Sequence, residues 1–303
     1  MLIGLDIGGT KIEGVSLDPT SYELLEKIRT PTPKEGYRAF LDAVITTIEK
    51  LSATQAPSSI GIGCCGSLHK ITGLMQGSNI LYLNGQDFIG DLQSHFDLPI
   101  EIGNDADCLA ISEFKTGAAK AAESSCIAVI IGTGCGSGVI INGNIVNGRN
   151  NLGGEIGHNP LPGFDPERDG ESTECYCGST NCIESFCSGT GFERTYALNH
   201  PPLSAKEIFE LAEQGDQAAQ AHIELYADQL ARALGSIVNV IDPEIIVLGG
   251  GMSNQDSIYP LVQQKLSANT FSKSVSTPVV KAVHGDSSGV RGAAFLPLLK
   301  GSL

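Results

Sequence analysis

One histidine and three cysteines lie close together in the middle of the chain. His158 stands in GEIGHNPLP, and the cysteines stand in CYCGSTNCIE. One histidine with three cysteines is a common ligand set for a tetrahedral structural zinc ion. The C-x-C-x₄-C spacing is tighter than that of a usual zinc ribbon. In a reducing cytosol, however, disulfide bonds would not explain why these four donors cluster. The pattern therefore predicts a structural Zn²⁺ site formed by His158, Cys175, Cys177 and Cys182.

A carboxylate in GNDADC is the second candidate for chemistry. Asn104 and Asp105 stand where an apolar strand meets a helix, the edge at which parallel α/β sheets present ligand-binding groups. Two interpretations are open. Asn and Asp are favoured helix N-caps, so these residues could serve the helix alone. Alternatively, Asp105 is a general base for a substrate hydroxyl, because phosphoryl transfer asks for little more than a positioned carboxylate and charge-stabilising donors.

Two glycine-rich turns, each between apolar strands, form an internal match. LIGLDIGGTKIEGVSL and AVIIGTGCGSGVII lie about 126 positions apart, and aligning them puts Asp6 opposite Gly132 and Gly8 opposite Gly134. Either turn alone could belong to an ordinary hairpin. Glycine tolerates positive φ and lacks a Cβ, so it lets backbone N–H groups approach a phosphate. The repetition favours a duplicated nucleotide-binding scaffold.

The turns match neither a Walker loop nor a dinucleotide-binding fingerprint. We predict that Asp6, at the end of the first strand, lies near Mg²⁺ or its waters. The other groups expected to bind the nucleotide in the first hairpin are Gly4, Gly8, Gly9, Thr10 and Lys11. Those of the second hairpin are Gly132, Thr133, Gly134, Cys135 and Gly136. A third glycine turn, with Gly250 and Gly251, is expected to face the adenosine.

Alternating strands and helices around these motifs predict an α/β protein with parallel central strands. The internal repeat suggests two lobes hinged near 117–125. The first lobe, 1–117, holds the first hairpin and Asp105, and we expect the C-terminal helix 289–303 to complete it. The second lobe, 118–288, holds the second hairpin, the cysteine loop and the third glycine turn.

Composition limits the partners. The chain has 303 residues, 41% of them hydrophobic, and a net charge of −15. The negative charge argues against a nucleic-acid surface, which needs basic groups to release counterions. No apolar run approaches the roughly 18 residues of a membrane span, and no export signal precedes the first strand. We therefore expect a cytoplasmic protein whose remaining cysteines are reduced core residues, with Cys187 on the helix after the zinc ligands.

Taken in order, DIGGTK, GNDADC, GTGCGSG, GEIGH, CYCGSTNCIE and GGGMS resemble the motifs of the ROK family (repressors, open reading frames, kinases) of bacterial sugar kinases. The resemblance runs from Leu2 to about Gly292. It implies a two-lobed actin-like ATPase fold, related to ribonuclease H, with a duplicated βββαβαβα core and a zinc-loop insertion. It also implies that ATP and Mg²⁺ bind in the interlobe cleft, and that the protein is a homodimer.

The same resemblance implies roles at the sugar site. Asp105 would be the base, and the residues that bind or line the sugar would be Gly66, Ser67, Asn79, Asn104, Glu155, His158 and Glu184. One nitrogen of His158 could bind zinc while the other meets a sugar hydroxyl. The alternative for Glu155 and Glu184 is that they are ordinary surface carboxylates. Glu174 and Asn181 replace glycines that are common in the family, which changes the loop rather than the ligands.

The activity that the resemblance implies is transfer of the γ-phosphoryl group of ATP to the 6-hydroxyl of a hexose. TGLMQGSNILYLNGQDF and EIGHNPLP look most like fructokinases that also accept mannose, so fructose is the expected substrate, with glucose also considered. The alternative is an N-acetylglucosamine kinase, since specificity can depend on one hydrogen bond. A sugar-responsive repressor is a remote alternative, because such proteins carry an N-terminal helix-turn-helix and this sequence starts with the first phosphate strand.

Overall fold

The computed structural model describes residues 1–299, so the end of the predicted helix 289–303 lies outside the described residues. The strands are β1 (Leu2–Ile7), β2 (Lys11–Leu17), β3 (Leu24–Pro31), β4 (Ser59–Cys64), β5 (Ser67–Leu68), β6 (Met75–Gln76), β7 (Ile100–Gly103), β8 (Ser125–Ile131), β9 (Cys135–Ile141), β10 (Asn144–Ile145), β11 (Ile246–Gly249) and β12 (Val279–Lys281). The helices are α1 (Tyr37–Leu51), α2 (Phe88–Gln93), α3 (Asp105–Thr116), α4 (Pro166–Asp169), α5 (Glu184–Cys187), α6 (Gly189–Ala197), α7 (Ala205–Glu213), α8 (Gln217–Ile241), α9 (Ile258–Leu266) and α10 (Ser288–Leu299).

The chain divides into two compact units. Unit 1 contains Met1–Lys120, Asn144–Gly153 and the described chain from Val283 onward. Unit 2 contains Ala121–Gly143 and Gly154–Ala282. The segment Asn144–Gly153, which falls in the sequence range assigned to the second lobe, thus clusters with unit 1. Among residues 1–299, no helix is both long enough and apolar enough to cross a membrane.

The sheet of unit 1 has the order β3-β2-β1-β4-β7. Strands β1, β4 and β7 are parallel neighbours, whereas β2 and β3 are antiparallel additions. In register, Ile7 pairs with Cys64 and Gly63 pairs with Gly103, so the three parallel strands end at one edge. That edge carries the first glycine turn, the residues after Cys64, and Asn104.

Two helices cover the sheet of unit 1. Helix α1 buries one apolar face, which includes Phe40 and Val44. Helix α10 lies against β1 and β4 at a distance that only glycine permits. A Cβ on Gly61 would lie 1.7 Å from the carbonyl oxygen of Ala293, and one on Gly4 would lie 2.2 Å from that of Val290. The helix therefore packs directly on the strand backbones.

The sheet of unit 2 contains the neighbours β9-β8-β11-β12, with the same strand directions as β2-β1-β4-β7. The last paired positions are Ile7 with Ile12 and Ile131 with Cys135. The first turn thus has four residues and the second has three. Gly132 follows its strand as Gly8 does, so the alignment of Asp6 with Gly132 is wrong by two positions, because Asp6 still belongs to β1.

Candidate functional site

The first glycine turn is braced by its own backbone and by one threonine. The N–H of Gly8 donates to the carbonyl oxygen of Lys11 at 2.9 Å. Thr32 donates its N–H to the oxygen of Thr10 (3.0 Å) and its hydroxyl to the oxygen of Gly8 (2.6 Å). A Cβ on Gly9 would have open space around it. The turn is therefore held from one side and open at Gly9, as a backbone surface for an anion requires.

Asp6 stands beside this turn and has a perturbed acidity. Burial raises the pKa of its carboxyl to about 6, the ammonium of Lys11 opposes the shift, and the nearby carboxylate of Asp105 adds to it. The start of α10 closes the other side, since a Cβ on Gly289 would lie 3.7 Å from the Asp6 carboxylate. A half-buried carboxylate whose ionisation is costly is a favourable place for a cation.

Asn104 and Asp105, at the start of α3, make different hydrogen bonds. The side-chain oxygen of Asn104 caps the helix by accepting the N–H of Asp107 at 2.6 Å. Asp105 follows as the first helical residue and accepts the N–H of Ala106 at 2.9 Å. Its side chain reaches solvent, yet the protein atoms around it desolvate the carboxyl and raise its pKa. Asn104 supplies the cap, so the Asp105 carboxylate is not required for that role.

A cavity of about 110 Å³, lined by both polar and apolar groups, opens at this edge of unit 1. Three of its lining residues are among those predicted for the sugar site: Gly66, Ser67 and Asn104. Gly66 has φ of +100°, and a Cβ there would lie 2.7 Å from the oxygen of Gln76, so the turn requires glycine. Asn79, also predicted, lies close by and accepts the thiol of Cys65 at 2.6 Å.

The cavity also has lining residues that the sequence analysis missed. These include Asp107, Asn147 and Asn151. Asp107 lies two positions after Asp105 on α3, and the two asparagines belong to the segment VNGRNN. The ammonium of Lys70 donates to the carbonyl oxygen of Gly148 at 3.0 Å, which ties this segment to the β5–β6 hairpin. The asparagine-rich composition was the available signal, but it did not reveal which wall the segment joins.

The second glycine turn, in unit 2, is held by the start of α5 and α6. The carboxylate of Glu184 accepts the N–H of Cys135 at 2.9 Å, and the N–H of Gly189 donates to the oxygen of Gly132 at 2.7 Å. A Cβ on Gly134 would lie 2.6 Å from that carboxylate. Gly250 packs on the same turn with φ of +84°. Glu184 therefore supports the second turn, a contact that no local sequence pattern predicts.

The predicted zinc ligands come together in unit 2. One donor atom from each of His158, Cys175, Cys177 and Cys182 lies within 4.8 Å of all the others. Cys177 Sγ lies 3.6 Å from Cys182 Sγ, and Cys175 Sγ lies 3.6 Å from His158 Nδ1. Ligands about 2.3 Å from a tetrahedral ion lie roughly 3.8 Å apart. The donor set and its spacing thus fit a zinc ion.

Backbone bonds hold the zinc loop. Cys175 donates its N–H to Ser179 at 2.8 Å, and Gly178 donates to Cys175 at 2.9 Å. Asn181, which replaces a glycine common in related motifs, adopts φ of +57°, a region that asparagine tolerates. Glu155 is exposed just before the short turn that carries His158. Cys187 is buried at the end of α5.

Comparison with known proteins identifies the family. Residues 2–299 match the ROK family. The chain belongs to the ROK family. An N-acetyl-D-glucosamine kinase of Citrobacter koseri is 38% identical over 308 aligned residues, which cover 98% of this chain and 99% of that protein. Relatives of this kind place the chain among the sugar kinases of the family.

Solved structures support the same fold. A ROK hexokinase from Thermus thermophilus superimposes with a TM-score of 0.86 at 29% identity and covers 99% of each chain. A ROK glucokinase from Streptomyces griseus, solved with glucose and AMPPNP, gives a TM-score of 0.77 at 25% identity over 97% of this chain and 98% of that one. The chain therefore has the α/β fold of the actin-like sugar kinases.

Proposed function

We propose that this protein is an ATP-dependent kinase that phosphorylates the 6-hydroxyl of N-acetylglucosamine. The observation that carries the proposal is the 38% identity, over nearly the full length of both chains, with an N-acetyl-D-glucosamine kinase. That similarity favours the alternative of the sequence analysis over fructose, which rested on two short stretches. The cavity beside Asn104 is lined by amide, hydroxyl and carboxylate groups, which suit a hydroxylated substrate that also carries an amide.

Nucleotide binding is assigned to backbone surfaces in both units. In unit 1 the first turn and Lys11 would bind phosphate, and Asp6 would attract Mg²⁺ through its waters. The other groups proposed for the nucleotide are Gly8, Gly9, Thr10, Gly132, Thr133, Gly134, Cys135, Gly136, Gly250 and Gly251. Gly4, which the sequence analysis included, is not among them, because it is buried in β1 with α10 packed on its backbone. Gly9 in the open first turn is the best supported by geometry, because a Cβ at that position would meet no atom within 4 Å.

Asp105 is proposed as the general base. Its raised pKa brings the carboxyl closer to neutral pH than an ordinary aspartate, which suits a group that must accept a proton from a hydroxyl. Hydrogen bonds to the sugar are assigned to Asn104, Glu155, His158 and Glu184, with Gly66, Ser67 and Asn79 beside them. Zinc held by His158, Cys175, Cys177 and Cys182 would fix the loop that carries His158 and would orient its ring.

The decisive experiment is a coupled assay of ADP release with a panel of sugars. The panel contains N-acetylglucosamine, N-acetylmannosamine, glucosamine, glucose, mannose and fructose, each with MgATP. We expect the highest kcat/KM for N-acetylglucosamine. A higher kcat/KM for fructose would refute the proposed substrate but keep the kinase, and no ADP release with any hexose would refute both.

A further inference from the structure

Both ring nitrogens of His158 have partners within unit 2. Nδ1 lies 3.6 Å from Cys175 Sγ, on the side of the metal ligands. Nε2 lies 3.0 Å from the hydroxyl oxygen of Tyr176, and the two rings meet edge to face with centroids 5.2 Å apart. Tyr176 thus occupies the nitrogen that the proposed function reserves for a sugar hydroxyl.

The chemistry of imidazole makes the Tyr176 hydroxyl and a sugar hydroxyl competitors for Nε2 of His158. A ring that gives its Nδ1 lone pair to a metal carries its one N–H proton on Nε2. That proton can be donated in good geometry to one acceptor, and the Tyr176 oxygen lies in position to accept it, 3.0 Å from Nε2. A sugar hydroxyl can accept it only after the tyrosine has moved away. The tyrosine contact and the sugar contact therefore exclude each other.

Tyr176 can move without disturbing the zinc loop. Tyr176 is 83% exposed, so little packing opposes a change of its side-chain torsion. The turn on which it stands is closed by backbone bonds, from Cys175 to Ser179 and from Gly178 to Cys175, that do not involve the ring. Both sequence neighbours, Cys175 and Cys177, belong to the zinc ligand set. The backbone is thus held on each side of an exposed side chain.

We propose that Tyr176 is an autoinhibitory group: its hydroxyl holds Nε2 of His158 until a sugar hydroxyl displaces it. This inference rests on the proposed function, in which His158 binds the sugar. The contact that must break is the same for every hexose. Tyr176 therefore weakens the binding of all hexoses by one common factor, and it does so without touching the transferred phosphoryl group.

The test variant is Tyr176→Phe, which keeps the ring and removes only the oxygen. Sugar affinity is measured by calorimetry on zinc-loaded protein without nucleotide, using N-acetylglucosamine, glucose and mannose. We expect Kd to fall about two- to tenfold for each sugar that binds, the factor that one net hydrogen bond of about 0.5–1.5 kcal/mol represents. In the coupled assay, KM for the sugar falls by the same factor while kcat stays constant.

Tyr22→Phe is the matched control, because it removes the hydroxyl of a tyrosine whose ring packs on Phe295 in unit 1. Its sugar affinity and the zinc content of every variant should equal those of the wild type. Unchanged or weaker binding by Tyr176→Phe overturns the inference, and so does a gain confined to one sugar, which would mean a direct contact with that sugar. If only N-acetylglucosamine fails to bind, the proposed substrate is wrong. The ratio of the wild-type Kd to the Tyr176→Phe Kd for another hexose still decides the role of Tyr176. Failure of every hexose to bind overturns both.

Discussion

Replacing Asp6 by asparagine should stabilise the protein near neutral pH while it removes activity. Asp6 is half-buried beside the first glycine turn, and burial raises the pKa of its carboxyl from 3.8 to about 6. Asparagine keeps the shape of the side chain but has no charge to desolvate. The variant would also lose the carboxylate proposed to attract Mg²⁺, so phosphoryl transfer should fall to background.

The size of the effect follows from the pKa shift. A rise from 3.8 to about 6 is worth about 3 kcal/mol at 1.36 kcal/mol per unit, which is an upper limit. Partial solvent access screens the carboxylate, so we expect about 1–2 kcal/mol in measured unfolding free energy.

The difference in unfolding free energy between Asp6→Asn and the wild type should depend on pH. Below the unfolded pKa near 3.8, Asp6 is protonated in both the folded and the unfolded chain, so its ionisation costs no stability. Between the unfolded pKa near 3.8 and the folded pKa near 6, the unfolded chain ionises this carboxyl while the folded chain keeps it protonated, so the wild type loses stability relative to the variant as the pH rises. The advantage of Asp6→Asn should therefore grow between about pH 4 and pH 6 and then level off.

Urea denaturation of the sugar-free and nucleotide-free protein at several pH values measures this difference. Asp42→Asn, a change at an exposed residue of α1, is the control and should alter stability by less than about 0.5 kcal/mol throughout. A variant Asp6→Asn that is less stable than the wild type at pH 8, or an effect that does not change with pH, would show that burial does not control the Asp6 carboxyl.

Three further predictions follow from the site and the fold. Asp105→Asn should abolish phosphorylation, while calorimetry still finds sugar binding; near-normal turnover would remove Asp105 from the role of base. Cys177→Ser should lower the zinc content from about one ion per chain, and with it the melting temperature and sugar affinity; full activity of zinc-free protein would contradict the proposed link to His158. Gly292→Ala should destabilise by at least about 3 kcal/mol in urea, because its Cβ would lie 1.7 Å from the oxygen of Cys108 on α3; a loss under 1 kcal/mol would mean that α10 can shift away.

Local sequence patterns were sufficient for several features. The glycine turns, the strand-to-helix junction at Asp105 and the cluster of zinc ligands all depend on residues that are close in sequence. The family motifs added the order of these features, and the comparisons confirmed the family and the fold. The comparisons did not support fructose as the substrate. The motifs shared by the family do not specify the sugar, because substrate choice depends on a few loop residues.

Contacts between distant residues could not be read from the sequence. Asn147 and Asn151 line a cavity with Asn104, more than forty positions earlier in the chain. Glu184 binds the backbone of Cys135 instead of standing free on the surface. The contact between Tyr176 and His158 depends on a side-chain rotation. The local composition around these residues indicated polar loops, but it did not specify which distant residue each side chain contacts.

The amino-acid order is enough to show which chemical groups are present and which local elements carry them, because periodicity, capping and ligand spacing act over a few residues. The environment of those groups depends on how the chain folds in three dimensions. The pKa of Asp6 depends on burial by distant elements, including the start of α10, which lies some 280 positions away. Desolvation and packing sum over all neighbours in space, and a linear pattern does not record those neighbours.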